Sequence, residues 1–232
     1  MSGEMIQIDI GVGKLDAYLA RPEGSGRWPG IILLGEVYNV NHWVRAVADG
    51  YAQQGFIVLA PDLYWRQEPG RFLDYTLDDQ KVARSLGFSM DLSAFTGDMK
   101  GYVRELAETP GCSGKVGTVG FCLGGKLVYL AMSRGLADAG VAYYAVQVDQ
   151  FLEEAEGLTR PLMMHFAELD EHVPPDSYQA VNTRLSPLPN VNIFMYEGAD
   201  HGFNRFGYPP YHKPSADLAL ERTLGFLHTN LD

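Results

Sequence analysis

The sequence has few cysteines, no long hydrophobic run and no excess of positive charge. Cys112 and Cys122 are its two cysteines, so we expect no disulfide framework and a cytoplasmic location where thiols stay reduced. The longest apolar runs, residues 56–60 and 127–132, fall far short of the roughly 20 residues that a membrane-spanning helix needs. The low cysteine count and the short apolar runs argue against a secreted disulfide-rich protein and against a membrane protein.

Acidic side chains outnumber basic ones. The 232 residues include 29 Asp and Glu against 18 Lys and Arg, which gives a net charge of −11 at pH 7. Such a balance argues against nucleic acid or an anionic membrane surface as the main partner, and it leaves a small molecule as the expected one. No repeat or low-complexity tract interrupts the chain, so we expect a single domain over residues 1–232, acting as a monomer or weak dimer.

Short apolar segments alternate with helical ones along the chain. The pattern predicts a hairpin over residues 5–10 and 14–20, buried strands over 30–34 and 56–60, and a helix capped by Asn41. Further on it predicts helices over residues 92–108, 123–134, 176–185 and 215–228, and strands over 115–119, 139–146, 161–166 and 191–196. This alternation indicates an α/β fold with a mostly parallel central sheet and helices on both faces. Active sites of such sheets lie at the carboxyl ends of the strands.

The most informative segment is Gly120-Phe121-Cys122-Leu123-Gly124, between a predicted strand and a predicted helix. Gly-x-Cys-x-Gly in that context is a nucleophile elbow with Cys in place of Ser. The positive end of the following helix would stabilise a Cys122 thiolate, and the N–H of Leu123 can serve as an oxyanion donor. The alternative is a buried structural cysteine in a glycine-rich turn. Cys112 lacks this context, and we interpret it as structural or incidental.

A nucleophile elbow needs a carboxylate and then a histidine further along the chain. Asp170 lies in the loop after predicted strand 161–166, and His201 lies in the loop after predicted strand 191–196. Two loops at the same edge of adjacent strands can bring Asp170 and His201 together over Cys122.

Neighbouring side chains compete for both roles. Glu168 and Glu171 flank Asp170, and His172 is an alternative base, although a base is expected after the last strand and this favours His201. A solvated acidic loop and a turn-capping imidazole are the non-catalytic alternatives. The remaining histidines lack a matching context and are interpreted as structural or surface residues: His42, His165, His212 and His228. No His-x-His or Cys-x-x-Cys spacing indicates a metal site, and we expect no cofactor.

The chain resembles the dienelactone hydrolases, the carboxymethylenebutenolidases of the α/β-hydrolase superfamily. The likeness is strongest in four segments, residues 35–41, 60–64, 120–125 and 200–203, which read Gly-Glu-Val-Tyr-Asn-Val-Asn, Ala-Pro-Asp-Leu-Tyr, Gly-Phe-Cys-Leu-Gly-Gly and Asp-His-Gly-Phe. The resemblance implies an α/β-hydrolase fold with a Cys122–His201–Asp170 triad. It also implies a hydrolase that opens a small carboxylated lactone through a thioester and needs no cofactor.

The resemblance further implies roles for residues around the triad. Glu36 would contact the resting thiol and take part in forming the thiolate when substrate binds, and Val37 would supply a second oxyanion N–H. Arg205 would hold the substrate carboxylate. The residues themselves support two of these roles, because Glu36 follows a buried apolar run and an arginine in so acidic a chain makes a local anion site. The alternatives are a surface glutamate and an ordinary surface arginine.

The chain departs from the family pattern where a second carboxylate-binding arginine is expected. Residues 78–84 read Asp-Asp-Gln-Lys-Val-Ala-Arg, so Lys81 or Arg84 takes its place, or neither does. Tyr38 is a further expected substrate contact. The substrate therefore stays open, and a broader carboxylesterase or thioesterase with the same triad is an alternative. A non-catalytic redox sensor using Cys122 as an oxidisable thiol is another.

Overall fold

In the computed structural model, which describes residues 3–232, the chain forms eight strands, six α-helices and one 3₁₀ helix. The strands are β1 (Glu4–Asp9), β2 (Lys14–Ala20), β3 (Trp28–Leu34), β4 (Ile57–Pro61), β5 (Cys112–Phe121), β6 (Gly140–Tyr143), β7 (Leu162–Ala167) and β8 (Val191–Tyr196). The helices are α1 (His42–Gln53), α2 (Leu77–Phe88), α3 (Leu92–Glu108), α4 (Leu123–Ser133), α5 (Pro175–Leu185) and α6 (Lys213–Leu231), with the 3₁₀ helix at Val148–Gly157. The strands are ordered β1-β2-β4-β3-β5-β6-β7-β8.

The chain divides into two compact units, one running to Thr118 and including Asp232, the other Val119–Leu231. In the first unit the predicted hairpin is confirmed, since β1 and β2 pair antiparallel with Ile8 opposite Leu15. Strand β4 pairs antiparallel with β2 and parallel with β3.

The predicted cap of α1 is confirmed. The side-chain oxygen of Asn41 accepts a hydrogen bond of 3.0 Å from the N–H of Val44, which satisfies one free donor of the first turn. The helix ends at Gln53, and Gly55 then takes a left-handed backbone with φ of 91°.

Helix α2 was not predicted from the sequence. Its core face consists of Ala83 and Leu86, whereas Leu77 and Phe88 are each 78% exposed. Two buried positions do not make the repeated apolar stripe that identifies a helix from its sequence.

In the second unit, β6, β7 and β8 run parallel to one another. Ala167 at the carboxyl end of β7 pairs with Tyr196 at the carboxyl end of β8. The loops that follow these two strands therefore begin side by side, at the edge where the sequence predicts catalytic residues.

A buried polar cluster joins this sheet to α6. His165 of β7 is fully buried, with Nδ1 lying 2.8 Å from the Tyr196 hydroxyl and Nε2 lying 3.1 Å from the Thr223 hydroxyl. Burial lowers the pKa of His165 to about 3, and the positive charge of Arg222 lowers it further. His165 is thus a neutral structural residue, as its sequence context indicates.

The predicted strand over residues 139–146 is shorter in the structure. Strand β6 ends at Tyr143 because Tyr144 and Gln147 take left-handed backbone conformations, with φ of 35° and 58°. The chain then enters the 3₁₀ helix, which the sequence did not predict. Among residues 3–232 no helix has the length and apolar character needed to cross a membrane.

Candidate active site

Cys122 occupies a strained turn between β5 and α4. Its backbone is left-handed, with φ of 55° and ψ of −112°, a region that a non-glycine residue rarely adopts. Its N–H donates to the Tyr143 carbonyl at 3.0 Å, and its carbonyl accepts from the N–H of Lys126 at 3.2 Å. These bonds hold the conformation that the nucleophile elbow predicts.

Two glycines make room for this turn. A Cβ atom on Gly120 would collide with the backbone of Gly124, and one on Gly125 would lie 2.8 Å from the Tyr143 carbonyl oxygen. Helix α4 begins at Leu123, so the positive end of its dipole lies at Cys122. The glycines of the motif thus let the helix start directly at the cysteine.

Asp170 and His201 form a close pair in the second unit. Oδ2 of the buried Asp170 lies 2.8 Å from Nδ1 of His201, and its other oxygen accepts the N–H of His172 at 2.8 Å. Asp170 follows β7 and His201 follows β8, as the sequence analysis expected. The pairing directs Nε2 of His201 away from the carboxylate and leaves it for another partner.

Backbone hydrogen bonds tie the two loops together. The N–H of Leu169 donates to the Ala199 carbonyl at 2.8 Å, and the N–H of Gly198 donates to the Glu168 carboxylate at 2.8 Å. Glu168 therefore links the loops and does not orient the histidine, while Glu171 is exposed. Of the three neighbouring carboxylates, Asp170 is the one that contacts the imidazole.

The surroundings of His201 favour the protonated ring. Burial opposes a charge on the ring, but the negative charge of Cys122 and hydrogen bonds to Asp170 and Cys122 outweigh it and raise the pKa to about 10. In such an arrangement a histidine can exchange a proton with a cysteine while a carboxylate orients the ring from its far side.

Two aromatic rings lie against His201, that of His172, which the sequence analysis considered as an alternative base, and that of Tyr144, which it did not single out. The rings of Tyr144 and His172 lie edge-on to it, with centroids 4.8 and 4.5 Å away. The hydroxyl of Tyr144 donates to the side-chain oxygen of Asn204 at 2.6 Å. The parallel pairing of β6, β7 and β8 brings these separate segments together, so no local sequence signal identifies Tyr144 as a neighbour of His201. His172 contacts Asp170 through its backbone N–H, whereas His201 contacts it through Nδ1.

Arg205 lies in the same loop as His201. Its N–H donates to the Gly202 carbonyl at 2.8 Å, and its guanidinium lies against Gly202, where a Cβ atom would be 2.9 Å away from Cζ. The turn at Gly202 has a φ of 81°, which favours glycine. The absence of a side chain at Gly202 thus leaves room for the Arg205 guanidinium.

Glu36 belongs to the first unit and follows β3. It is 1% exposed, and its carboxylate accepts a hydrogen bond of 3.1 Å from the hydroxyl of Tyr75. The buried ring of Tyr38 packs edge-on against Tyr75, with centroids 4.6 Å apart. The carbonyl of Val37 accepts from the Tyr64 hydroxyl at 2.8 Å. Glu36 is therefore a buried and oriented carboxylate, unlike a surface glutamate.

The two expected cations of α2 face solvent. The Lys81 side chain is 80% exposed and pairs with Asp78 of its own helix at 3.3 Å, and Arg84 is also exposed. Within residues 3–232, no group of three or more His, Cys, Asp and Glu side chains is arranged to hold a metal ion.

Comparisons with known proteins identify the family of the chain. A model of the dienelactone hydrolase family matches residues 15–231. The sequence is 34% identical over 200 residues to a carboxymethylenebutenolidase of Pseudomonas putida, covering 86% of this chain and 85% of that protein. It is also 34% identical over 230 residues to the carboxymethylenebutenolidase of another Pseudomonas strain, covering 98% and 95%.

The structure is similar to two solved structures. One is a dienelactone hydrolase from Anabaena variabilis, with a TM-score of 0.70 and 16% identity over all of both chains. The other is a dienelactone hydrolase-like promiscuous phosphotriesterase from metagenomic libraries, with a TM-score of 0.81 and 17% identity over 100% of this chain and 99% of that one. At these identities the likeness concerns the fold, and it confirms the predicted α/β-hydrolase architecture.

Proposed function

Because the chain belongs to the dienelactone hydrolase family and is a carboxylic-ester hydrolase, we propose that it opens a small carboxylated lactone through a thioester on Cys122. The main support is the contact of Asp170 Oδ2 with His201 Nδ1 at 2.8 Å, together with the hydrogen bond between His201 and Cys122. A nucleophile, a base and an orienting carboxylate need this chain of contacts.

Acylation begins with attack of the Cys122 thiolate on the lactone carbonyl carbon. A C–S bond forms, and the carbonyl oxygen becomes an oxyanion that we assign to the N–H groups of Leu123 and Val37. When the oxyanion collapses, the ring C–O bond breaks and the ring oxygen takes the Nε2 proton of His201. The product of this step is an open-chain thioester beside a neutral imidazole.

Deacylation uses the same histidine in the opposite direction. Neutral His201 removes a proton from water as the water oxygen attacks the thioester carbonyl, and Asp170 stabilises the imidazolium that results. Collapse of the second oxyanion breaks the C–S bond and releases the carboxylic acid. The Cys122 thiolate and protonated His201 are thereby restored.

We assign Glu36 a part in forming the thiolate when substrate binds. Support comes from its burial and from the Tyr75 hydroxyl, which donates a hydrogen bond to the carboxylate. A carboxylate that accepts the proton of a thiol increases the fraction present as thiolate, in addition to the thiolate that a protonated histidine stabilises.

Arg205 is proposed to hold the carboxylate of the substrate, since it shares a loop with His201 and a guanidinium binds a carboxylate with two parallel hydrogen bonds. The exposed positions of Lys81 and Arg84 favour a second candidate, a broader carboxylesterase or thioesterase that uses one arginine or none for this purpose.

The experiment is a rapid-quench reaction followed by mass spectrometry of the intact protein and its peptides. The substrates are a carboxylated dienelactone, p-nitrophenyl acetate and a simple thioester. We expect an acyl adduct on Cys122 that forms and decays at the rate of turnover. Two results would contradict the thioester mechanism. One is an acyl adduct on a residue other than Cys122, and the other is hydrolysis with no adduct on Cys122. Preference for p-nitrophenyl acetate would favour the broader esterase.

A further inference from the structure

Lys126 is a buried lysine one helical turn beyond Cys122. Lys126 is 6% exposed. Its backbone N–H donates a hydrogen bond to the Cys122 carbonyl at the start of α4. Lysines rarely occupy such positions, because removing an ammonium from water is unfavourable unless a partner compensates it.

The partner of this ammonium carries no charge. Nζ donates to the side-chain oxygen of Gln147 at 2.9 Å, and in residues 3–232 no carboxylate oxygen lies within 4.0 Å of it. The pKa of Lys126 is lowered because burial outweighs the opposing effect of a negative charge on Cys122. Cys122 lies four residues before Lys126, and residues four apart lie on the same face of a helix.

Other charged groups around α4 are engaged elsewhere. The 3₁₀ helix packed on α4 carries Glu154, which pairs with Arg134 at 2.7 Å, and Asp149, which accepts from the Ser177 hydroxyl. Strand β6 contributes the Tyr143 hydroxyl, which lies 2.6 Å from that of Thr223. Cys122 also contacts His201, which is paired with Asp170.

The loop that supplies Gln147 is fixed to the elbow. The N–H of Val146 donates to the Cys122 carbonyl at 3.4 Å, and the next residue, Gln147, has a left-handed backbone with φ of 58°. Non-glycine residues adopt this conformation at an energetic penalty that other contacts must offset. The strained turn places the Gln147 amide on the ammonium of Lys126.

We propose that Lys126 stabilises the Cys122 thiolate as a second positive charge beside His201, and that Gln147 holds its ammonium in place. A neutral amide fixes the ammonium without neutralising it, which a carboxylate would do. A cation beside a cysteine favours the thiolate, the form that reacts. This inference takes Cys122 as the reactive thiol of the proposed function, but it concerns the ionisation of that thiol and not the substrate.

The test is the rate of Cys122 alkylation by iodoacetamide from pH 5 to pH 10, in the full chain carrying Cys112→Ala. In Lys126→Met we expect alkylation at pH 7 to be roughly tenfold slower and the half-maximal rate to occur at higher pH, because a neighbouring charge is lost. Lys126→Arg should retain most of the rate. Lys115→Met, which removes an equally charged but exposed lysine from β5, should leave the profile unchanged.

Thermal unfolding separates this role from a structural one. Removing an unpaired buried charge should leave the melting temperature of Lys126→Met unchanged or raise it. Gln147→Glu, which gives the ammonium a carboxylate partner, should also slow alkylation, and it serves if Lys126→Met does not fold. An alkylation profile in either variant with the wild-type pH midpoint would overturn the proposal, whatever the melting temperature. Absence of lactone hydrolysis in the wild type would contradict the proposed function and leave the alkylation result to stand.

Discussion

The hydroxyl of Tyr75 donates a hydrogen bond to the buried carboxylate of Glu36, with the two oxygens 3.1 Å apart. The segment that carries Tyr75 is fixed beside residues 36–42, since the N–H of Leu73 donates to the Tyr38 carbonyl at 3.1 Å. This phenol thus contributes to the orientation of the carboxylate to which we assign thiolate formation.

Replacing Tyr75 with Phe keeps the ring and removes this donor. We expect acylation to slow by about three- to tenfold, in line with the loss of one hydrogen bond to a charged group. The measurement is single-turnover acylation by a dienelactone, with the exposed Tyr211→Phe as control. In a Glu36→Gln background Tyr75→Phe should have no further effect. Unchanged acylation in Glu36→Gln would refute the role of Glu36, and normal acylation in Tyr75→Phe alone would refute the positioning role.

Arg205→Ala tests how the substrate is recognised. Loss of a charge-assisted pair inside a site typically removes ~1.5–3 kcal/mol, or roughly tenfold to a hundredfold in kcat/KM. We expect that loss on a carboxylated lactone and little change on neutral p-nitrophenyl acetate. The difference between the two substrates is the quantity to compare, because it cancels general damage. Equal losses of kcat/KM on the two substrates would indicate that Arg205 has a structural role and does not bind the substrate carboxylate. Lys81→Met, at an exposed position, should change neither rate appreciably.

The raised pKa of His201 depends on Cys122. Wild-type His201 should titrate near pH 10 in an NMR experiment, and Cys122→Ala should bring its midpoint toward the ordinary 6.5, since the thiolate charge and one hydrogen bond disappear. For a histidine with a raised pKa, the added stability is fully present below pH 6.5 and is lost as the pH rises through about 10. An unchanged His201 midpoint in Cys122→Ala would show that the thiolate is not its partner.

His165 has the opposite effect on stability. Because its folded pKa is near 3, the unfolded chain binds a proton below pH 6.5 that the folded chain rejects. The resulting stability is present above pH 6.5 and is lost as the pH falls toward 3. His165→Gln should lower the unfolding free energy at pH 7 by about 1–3 kcal/mol and flatten its decline between pH 6.5 and 4. Urea titrations measure both, with the exposed His42→Gln as control. An equally steep decline in His165→Gln would contradict this assignment.

The sequence predicted the elements whose apolar pattern is strong. Helix α3 and strand β8 have the predicted bounds, and the elbow at Cys122 has the backbone conformation that its glycines allow. Helix α2 was missed because it buries only two side chains. Strand β6 was predicted too long because the left-handed turn at Tyr144 is stabilised by contacts with other segments.

The candidate site divides in the same way. Asp170 and His201 follow from the order of strands and loops, since each loop begins at the carboxyl end of its strand. The roles that we propose for Tyr75 and Lys126 do not follow from that order. The role of Tyr75 depends on its contact with Glu36, and that of Lys126 on its position near Cys122. A buried lysine and an exposed lysine give the same pattern in the sequence of a helix. Only tertiary packing distinguishes Lys126 from its exposed counterparts.

The most direct test of the central claim is steady-state hydrolysis of a dienelactone by Cys122→Ala beside Cys112→Ala. Both variants remove one thiol, and Cys112 is a buried residue at the start of β5. We expect Cys122→Ala to lose measurable turnover while it keeps its circular dichroism spectrum and melting transition, and we expect Cys112→Ala to retain near wild-type kcat. Near wild-type turnover in folded Cys122→Ala would show that Cys122 is not the nucleophile.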